Sequence, residues 1–483
     1  MTLSSPPDRP HLAPAGRGPG TRAWLAGVFA AIAERTRRSA GPGNAGPDPL
    51  DYAKLLAASL ISERGEASGA AIAQELLAVL ASLSAEQLGA FCTYLGDGFV
   101  PDPAALRAAA SRYLDAPNAE NSFLLAEAAE PPRQELLRRM NMAQGGTAAL
   151  IALRRDVLAR RSANPAQKRL DADLRHLFSS WFNRGFLELR RIDWQTPAAI
   201  LEKLIAYEAV HEIQDWQDLR RRLAADRRCF GFFHPALPGE PLIFVEVALV
   251  RGLAGSVTAL LDRDADDAAQ RARAAASDTA IFYSISNCQD GLRGISFGNL
   301  LIKQVVEELR RELPNLRYFS TLSPVPGFRA WLEGSQGAAV LAEILPDDTQ
   351  QATQAATRAA LAGAQNAEQL EATALRPILL QLCARYLTGK AAYWRIDPVA
   401  KFHLGNGARL ERINWMANPT PRGYQESYGI MVNYLYDLAA IEENHEDFTR
   451  DGHVHRGASV EALLKPPVPA GEKPGLVRRM RLG

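Results

Sequence analysis

Residues 280–299, AIFYSISNCQDGLRGISFGN, contain the stretch that decides the fold: a strand-like run followed at once by a glycine-rich loop. Apolar and aromatic residues dominate 280–286, which is typical of a buried strand. After the loop, apolar side chains recur at helical spacing, at Leu301, Ile302, Val305, Val306, Leu309 and Leu313. Residues 318–322 (YFSTL) then form another strand-like run. The order strand, glycine loop, helix, strand predicts a domain of mixed α and β structure.

Further elements surround this stretch. Two strand-like runs precede it, at 229–234 (CFGFFH) and 242–250 (LIFVEVALV). The alanine-rich residues 262–276 predict a loop or short helix before the next strand. Residues 337–390 are predicted to be helical, and 391–440 to form strands or irregular structure ending in a helix. We therefore expect helices packed on a mostly antiparallel sheet.

The first half of the chain, from Asp48 to about residue 184, has a helical pattern throughout. Asp48-Pro49 and Asp102-Pro103 each place an N-cap acid before a first-turn proline. Ser84 to Gln87 forms a capping box, and Gly145-Gly146 ends one helix before the next begins. This pattern predicts a helical bundle whose apolar stripes pack on each other or on a second subunit.

Composition limits the classes of function. The chain has 483 residues, 47% hydrophobic and 23% charged, which fits a globular protein of two or three domains. Its formal net charge of +1 gives no general attraction to nucleic acid or to an anionic membrane. No apolar run is long enough to span a bilayer. The four cysteines are scattered, which favours a reducing compartment.

Both ends of the chain differ in composition from the rest. Residues 1–47 are rich in Pro, Gly and Arg and contain a candidate amphipathic helix at about 21–38. This segment is either an organelle transit peptide or a flexible tail with a docking helix. Residues 466–483 are basic and proline-rich. We interpret both segments as flexible tails and expect a cytoplasmic protein.

The glycine loop is the first candidate binding site. Gly291, Gly294 and Gly298 allow close approach of the backbone to a ligand. The free N–H groups of the helix that follows form an anion site suited to a diphosphate, to which Arg293 adds a charge. An ordinary strand-to-helix turn explains the same glycines equally well.

Ser323 and His403 are the candidate catalytic residues. Ser323 ends a strand at two prolines, which fix the backbone after it. His403 lies between apolar residues shortly before Gly405 and Gly407, and histidine exchanges protons near neutral pH. Taken alone, each residue fits a structural role better than a catalytic one.

Seven stretches taken together, in this order, resemble the malonyl-CoA decarboxylase family, over about residues 182–436. They are Phe282–Ser286 (FYSIS), Gly291–Asn299, Leu301–Lys303 (LIK), Leu322–Phe328 (LSPVPGF), Pro398–Ala408 (PVAKFHLGNGA), Arg412–Ala417 (RINWMA) and Asn433–Tyr436 (NYLY). The resemblance implies an α+β chain: a helical oligomerisation domain at 48–185, then a catalytic domain of the GNAT acetyltransferase type at 186–465. It also implies a homodimer or homotetramer.

The resemblance further implies the site residues. Malonyl-CoA would be contacted by Arg293, Gly294, Ile295, Ser296, Phe297, Gly298 and Asn299. Ser323 and His403 would form the catalytic pair and also contact substrate, with Asn414 and Tyr436 as further catalytic residues near them. Some family members carry a glutamate where this chain has Ser296, which puts a direct catalytic role for that position in doubt.

The implied reaction converts malonyl-CoA to acetyl-CoA and CO2. The thioester itself stabilises the enolate that CO2 leaves behind, so we expect no cofactor and no metal. Two other functions remain open: an acetyl-CoA-dependent N-acetyltransferase on the same fold, and a CoA-binding scaffold without turnover.

Overall fold

The computed structural model describes residues 48–62, 65–262, 266–295, 301–344, 359–361, 363–389 and 397–465. The chain forms two compact units. The helical unit holds the described residues up to Phe182 together with Gln289–Ile295, and the sheet unit holds Asn183–Cys288 and the described residues after Ser296. The predicted helix at 21–38 and the C-terminal tail lie outside the described residues.

Eight helices form the described part of the helical unit: α1 Pro49–Leu60, α2 Gly65–Ser82, α3 Ala85–Gly98, α4 Pro103–Asp115, α5 Ala119–Ala129, α6 Pro132–Asn141, α7 Gly146–Arg160 and α8 Pro165–Trp181. The predicted caps are confirmed: Asp48 and Asp102 accept backbone N–H bonds, and Ser84 makes a complete capping box. Gly145 adopts a φ of 75° between α6 and α7, a conformation that glycine adopts without strain.

Strands of the sheet unit run through the second half of the chain. Within the described residues they are β1 Glu188–Ile192, β2 Arg227–Phe233, β3 Pro241–Val250, β4 Thr279–Asn287, β5 Tyr318–Thr321, β6 Ser323–Pro324, β7 Arg409–Asn414 and β8 Met431–Leu435. The strand order is β1-β2-β3-β4-β5-β8-β6, and β7 also pairs with β8. Among the described strands only β4 and β5 pair in parallel, so the expected mostly antiparallel sheet is confirmed.

The remaining helices pack around this sheet. They are α9 Ala198–Tyr207, α10 Trp216–Arg222, α11 Val257–Leu261, α12 Asp267–Ala275, α13 Leu301–Glu312, α14 Phe328–Glu333, α15 Ser335–Ile344, α16 Ala367–Glu371, α17 Arg376–Thr388, α18 Pro398–Gly405, α19 Pro421–Ser427, α20 Ile441–Asp451 and α21 Ala458–Leu464. Among the helices described, none combines the length and the apolar character needed to cross a membrane.

The expected α+β architecture, with helices first and a mixed sheet domain after them, is confirmed. The order β4, loop, α13, β5 matches the strand, loop, helix, strand order predicted for the GNAT-type domain. Two details differ. Strand β1 was not predicted, because its sequence ELRRI carries three charged side chains at an edge of the sheet. Residues 398–405 form a helix, so the prediction of strands or irregular structure was wrong there.

Candidate active site

Ser323 and His403 lie side by side, although 80 positions separate them in the chain. Ser323 begins the short strand β6, which pairs with β8, and His403 lies in the last turn of α18. The Ser323 Oγ and the His403 Nε2 are 3.0 Å apart, a hydrogen-bond distance. The structure therefore brings together the two residues chosen as the catalytic pair.

Further hydrogen bonds lead from this pair on both sides, to Tyr436 and to Thr321. On the far side of the imidazole, the Tyr436 hydroxyl lies 2.8 Å from His403 Nδ1. On the other side, Ser323 Oγ donates to Thr321 Oγ1 at 2.8 Å. We call these four residues, Thr321, Ser323, His403 and Tyr436, the hydroxyl–imidazole chain.

Burial keeps the hydroxyl–imidazole chain uncharged. Its members are at most 5% exposed. Burial lowers the pKa of His403 to about 3, so its imidazole is neutral at physiological pH. Burial also raises the pKa of Tyr436 well above its usual value, so its phenol stays protonated. At rest, the hydroxyl–imidazole chain can therefore offer hydrogen bonds and exchange protons without holding a fixed charge.

Asp397 ties together the segments that carry Ser323 and His403. Its Oδ1 accepts from the N–H groups of Val399 and Ala400, which caps α18 at its N-terminus. Its Oδ2 accepts from the Gly327 N–H at 3.2 Å, in the turn after β6. One carboxylate therefore fixes the start of the His403 helix against the turn that follows Ser323.

The ring of Tyr434 lies against the His403 imidazole. The two rings are nearly parallel, with an interplanar angle of 24° and centroids 4.7 Å apart. Within the described part of the chain, the buried Tyr434 hydroxyl has no hydrogen-bond partner. Tyr434 thus contributes a flat surface that sets the imidazole plane, while Tyr436 binds an imidazole nitrogen.

Asn414 lies close to this site but bonds elsewhere. Its Nδ2 donates to the Asn433 Oδ1 at 2.9 Å. Asn433 in turn donates through its own Nδ2 to the Thr321 backbone oxygen at 2.7 Å. Asn414 is therefore linked to the hydroxyl–imidazole chain through Asn433, and its catalytic role stays a prediction.

The described part of the glycine loop belongs to the helical unit. Arg154 of α7 donates to the backbone oxygens of Gly291 and Arg293 at 2.6 and 3.0 Å. A Cβ on Gly291 would lie 2.0 Å from the Ile151 backbone oxygen, so the close approach at this glycine is to α7. Gly294 has a φ of 77° and Ile295 is buried. Ser296, Phe297, Gly298 and Asn299 lie outside the described residues.

Two family models match this chain, and the C-terminal one covers the residues of the candidate site. The malonyl-CoA decarboxylase C-terminal domain matches residues 185–473, and the malonyl-CoA decarboxylase N-terminal domain matches residues 99–182. The chain belongs to the malonyl-CoA decarboxylase family. The family predicted from the seven stretches of sequence is thereby confirmed.

Curated relatives and solved structures carry the same family name. The mitochondrial malonyl-CoA decarboxylases of Anser anser anser and Rattus norvegicus are 38% and 34% identical over 359 and 356 residues. Each alignment covers 69% of this chain, and 69% and 71% of the respective relative. Crystal structures of the malonyl-CoA decarboxylases from Rhodopseudomonas palustris and Agrobacterium vitis are 48% and 46% identical, with TM-scores of 0.73 and 0.75. They cover 86% of this chain, which spans each of them fully.

Sequence reasoning missed three members of the site: Thr321, Asp397 and Tyr434. For Asp397 a signal was present, since Asp397-Pro398 repeats the cap pattern recognised at Asp48-Pro49 and Asp102-Pro103. Thr321 and Tyr434 carry no local pattern of their own, because their contacts join residues far apart in the chain.

Proposed function

We propose that this protein decarboxylates malonyl-CoA to acetyl-CoA and CO2, with the reaction at the hydroxyl–imidazole chain. The observation that carries the proposal is the contact of Ser323 Oγ with His403 Nε2 at 3.0 Å in a chain of this family. Residues Ser323 and His403 both contact the malonyl group and carry out the proton transfer. Asn414 belongs to the surrounding shell, where it holds Asn433.

The chemistry places two demands on the site. The bond between the carboxylate carbon and the methylene carbon breaks, and its electron pair moves into the thioester as an enolate. The site must then hold the thioester oxygen by hydrogen bonds and deliver one proton to the methylene carbon. The overall reaction consumes one proton and one malonyl-CoA and yields one acetyl-CoA and one CO2.

Neutral donors suit this sequence of events. A fixed positive charge beside the malonyl carboxylate would stabilise the ground state, which carries the charge before CO2 leaves. Burial of His403 removes such a charge, while its N–H group remains as a donor. His403 is the proton donor and Ser323 is its partner.

Incubation of the purified protein with malonyl-CoA alone tests the proposal. We expect CO2 and acetyl-CoA in equal amounts, and their loss in Ser323→Ala. An N-acetyltransferase would require an amine acceptor and release no CO2, and a scaffold would bind CoA without any product. Either result would refute the decarboxylase.

The glycine loop, Arg293 to Asn299, is the proposed site for the CoA diphosphate. Support comes from Gly294, which adopts a positive φ at which the backbone can approach a ligand closely. The Arg293 side chain is 75% exposed and pairs with Asp290 three residues before it.

A matched pair of arginine variants tests this loop. Arg311 is 74% exposed and pairs with Glu308 in the same spacing, so it serves as the control. We expect Arg293→Gln to raise KM for malonyl-CoA with little change in kcat, and Arg311→Gln to leave both unchanged. Equal KM values in the two variants would contradict a diphosphate contact at Arg293.

A homodimer or homotetramer is the proposed assembly, through the hairpin of α4 and α5. Only Ala109 is buried in α4, and no residue of α5 is buried. Leu114 and Phe123 are 79% and 67% exposed, a pattern typical of a surface that a second copy covers. Light scattering should give a smaller particle for Phe123→Glu than for Met142→Glu, which changes an exposed residue outside the hairpin.

The protein is proposed to act in the cytoplasm, in fatty acid or malonate metabolism. All four cysteines are free and buried, which suits a reducing compartment. The curated relatives named above are called mitochondrial, so the mitochondrion is the alternative location to test. Fractionation of cells that express the full chain separates the two: recovery in organelles would contradict the cytoplasmic assignment.

A further inference from the structure

The Thr321 hydroxyl ends the hydroxyl–imidazole chain. Thr321 is fully buried at the end of β5, opposite Phe282 of β4. Its Oγ1 accepts from the Tyr434 backbone N–H at 3.2 Å and from Ser323 Oγ at 2.8 Å. The backbone N–H engages one lone pair of Thr321 Oγ1, which leaves the other for Ser323.

These contacts determine which group donates and which accepts in each hydrogen bond of the hydroxyl–imidazole chain, and we call this order its direction. Because Ser323 donates its only hydroxyl proton to Thr321, its oxygen faces His403 Nε2 as an acceptor. Nε2 then carries the imidazole proton, and Nδ1 accepts from the Tyr436 hydroxyl. A neutral imidazole has one donor and one acceptor nitrogen, so the direction of the chain sets its tautomer.

We propose that Thr321 is a positioning residue for decarboxylation, which holds the His403 proton on Nε2, the nitrogen that faces Ser323. This inference rests on the proposed function, in which His403 supplies the proton for the enolate carbon. Thr321 itself touches neither the substrate nor the carbon that is protonated.

The proton transfer balances along the chain. The Nε2–H bond of His403 breaks as a C–H bond forms on the enolate carbon, while Ser323 keeps its own hydroxyl proton. Nδ1 takes the Tyr436 proton at the same time, so His403 stays neutral and Tyr436 is left as the anion. Water restores the Tyr436 proton after acetyl-CoA leaves.

Loss of the Thr321 acceptor reverses this direction. Without Thr321 Oγ1, the Ser323 hydroxyl turns its proton toward Nε2, and the imidazole proton moves to Nδ1. Nε2 then has no proton to give, although Ser323 and His403 keep their positions. The expected defect is therefore in the chemical step and not in substrate binding.

Valine and serine at position 321 separate the hydroxyl from the shape of the side chain. Thr321→Val keeps the branched side chain and removes the acceptor, so kcat should fall at least about tenfold with KM within about twofold. Thr321→Ser keeps the hydroxyl and should recover most of the lost kcat. Nitrogen-15 spectroscopy of His403 should find the proton on Nε2 in the wild type and on Nδ1 in Thr321→Val.

Thr279→Val is the matched control. Thr279 is also a fully buried strand threonine, three residues before Phe282 along β4, and its hydroxyl bonds to Asp278. The same change there should leave kcat at the wild-type value. Melting curves of all variants show whether each remains folded at the assay temperature.

The possible outcomes distinguish this inference from the proposed function. Wild-type kcat in Thr321→Val, with Ser323→Ala inactive, would overturn the role of Thr321 and leave the decarboxylase intact. Equal losses in Thr321→Val and Thr279→Val, or no recovery in Thr321→Ser, would assign the effect to packing and also overturn it. Absence of CO2 release by the wild type would overturn the proposed function itself.

Discussion

Two buried clusters of polar residues in the sheet unit differ in charge: one holds neutral groups and the other holds paired charges. The hydroxyl–imidazole chain contains only neutral groups, joined by hydrogen bonds of 2.8 to 3.0 Å. The second, which we call the charge cluster, consists of His211, Asp218, Arg222 and Glu246. In it Arg222 donates to Glu246 at 2.7 Å and to the His211 backbone oxygen at 3.0 Å.

This difference fits the proposed function, in which the hydroxyl–imidazole chain serves the reaction and the charge cluster serves stability. Arg222 and Glu246 form a buried ion pair whose charges compensate each other, although burial still raises the pKa of Glu246 to about 7 against the lowering effect of Arg222. The hydroxyl–imidazole chain holds no charge at rest, and its members can exchange donor and acceptor roles. Each cluster contains a buried histidine whose pKa is lowered to about 3, so the pKa of histidine alone does not identify the active site.

The two histidines provide the largest test of this comparison. His403→Ala should lower kcat by about 10²- to 10⁴-fold, because it removes the proposed proton donor. His211→Ala should leave kcat of the folded protein near the wild-type value, because His211 lies in the charge cluster. Steady-state rates, with circular dichroism to confirm folding, decide the matter. Equal losses of kcat in His403→Ala and His211→Ala would contradict different functions for the two clusters.

Disruption of the charge cluster should act on stability instead. Arg222→Met leaves the Glu246 carboxylate buried without its partner, so the free energy of unfolding should fall by about 3–5 kcal/mol. The double variant Arg222→Met/Glu246→Leu should regain much of this loss, because no uncompensated charge of the pair remains. Denaturant titration measures both. A single variant as stable as the wild type would show that the pair contributes nothing.

Two tyrosines refine the comparison within the candidate active site. Tyr436→Phe removes the partner of His403 Nδ1, so kcat should fall about tenfold, or about 1.4 kcal/mol in barrier height. Tyr434→Phe keeps the stacked ring and removes a hydroxyl that has no partner within the described residues. It should leave kcat unchanged and raise the free energy of unfolding, because a buried hydroxyl without a partner is removed. The reverse ranking of the two variants would contradict the assigned direction of the chain.

The pH profile carries the smallest expected effect. Because burial lowers the pKa of His403 from 6.5 to about 3, its imidazole stays neutral in the folded protein, and kcat should be flat from about pH 5 to about pH 8. Between about pH 6.5 and about pH 3, His403 binds a proton in the unfolded state and not in the folded state. The stability contributed by neutral His403 is therefore present above that pH and is lost as the pH falls toward 3. A fall in kcat near pH 6.5 would show that His403 gains a proton there and becomes an imidazolium, which would contradict the neutral imidazole.

Local patterns determined most of the fold. The caps at Asp48, Ser84 and Asp102 and the strands around 227–250 and 279–321 follow from periodicity, prolines and short polar side chains. These signals act between residues a few positions apart, so a single sequence reveals them. The helix at 398–405 was missed because it is short, with too few turns for a clear period.

The sequence by itself also determined the family and named Ser323, His403 and Tyr436, since seven ordered stretches are specific together. Only the tertiary structure decided how these residues are joined. The Ser323–His403 contact spans 80 positions and Asp397 reaches back 70 positions to Gly327. Hydrogen bonds between distant segments depend on distances of a fraction of an ångström, which no local pattern encodes. For the same reason Thr321 shows its place beside Ser323 only in the folded chain.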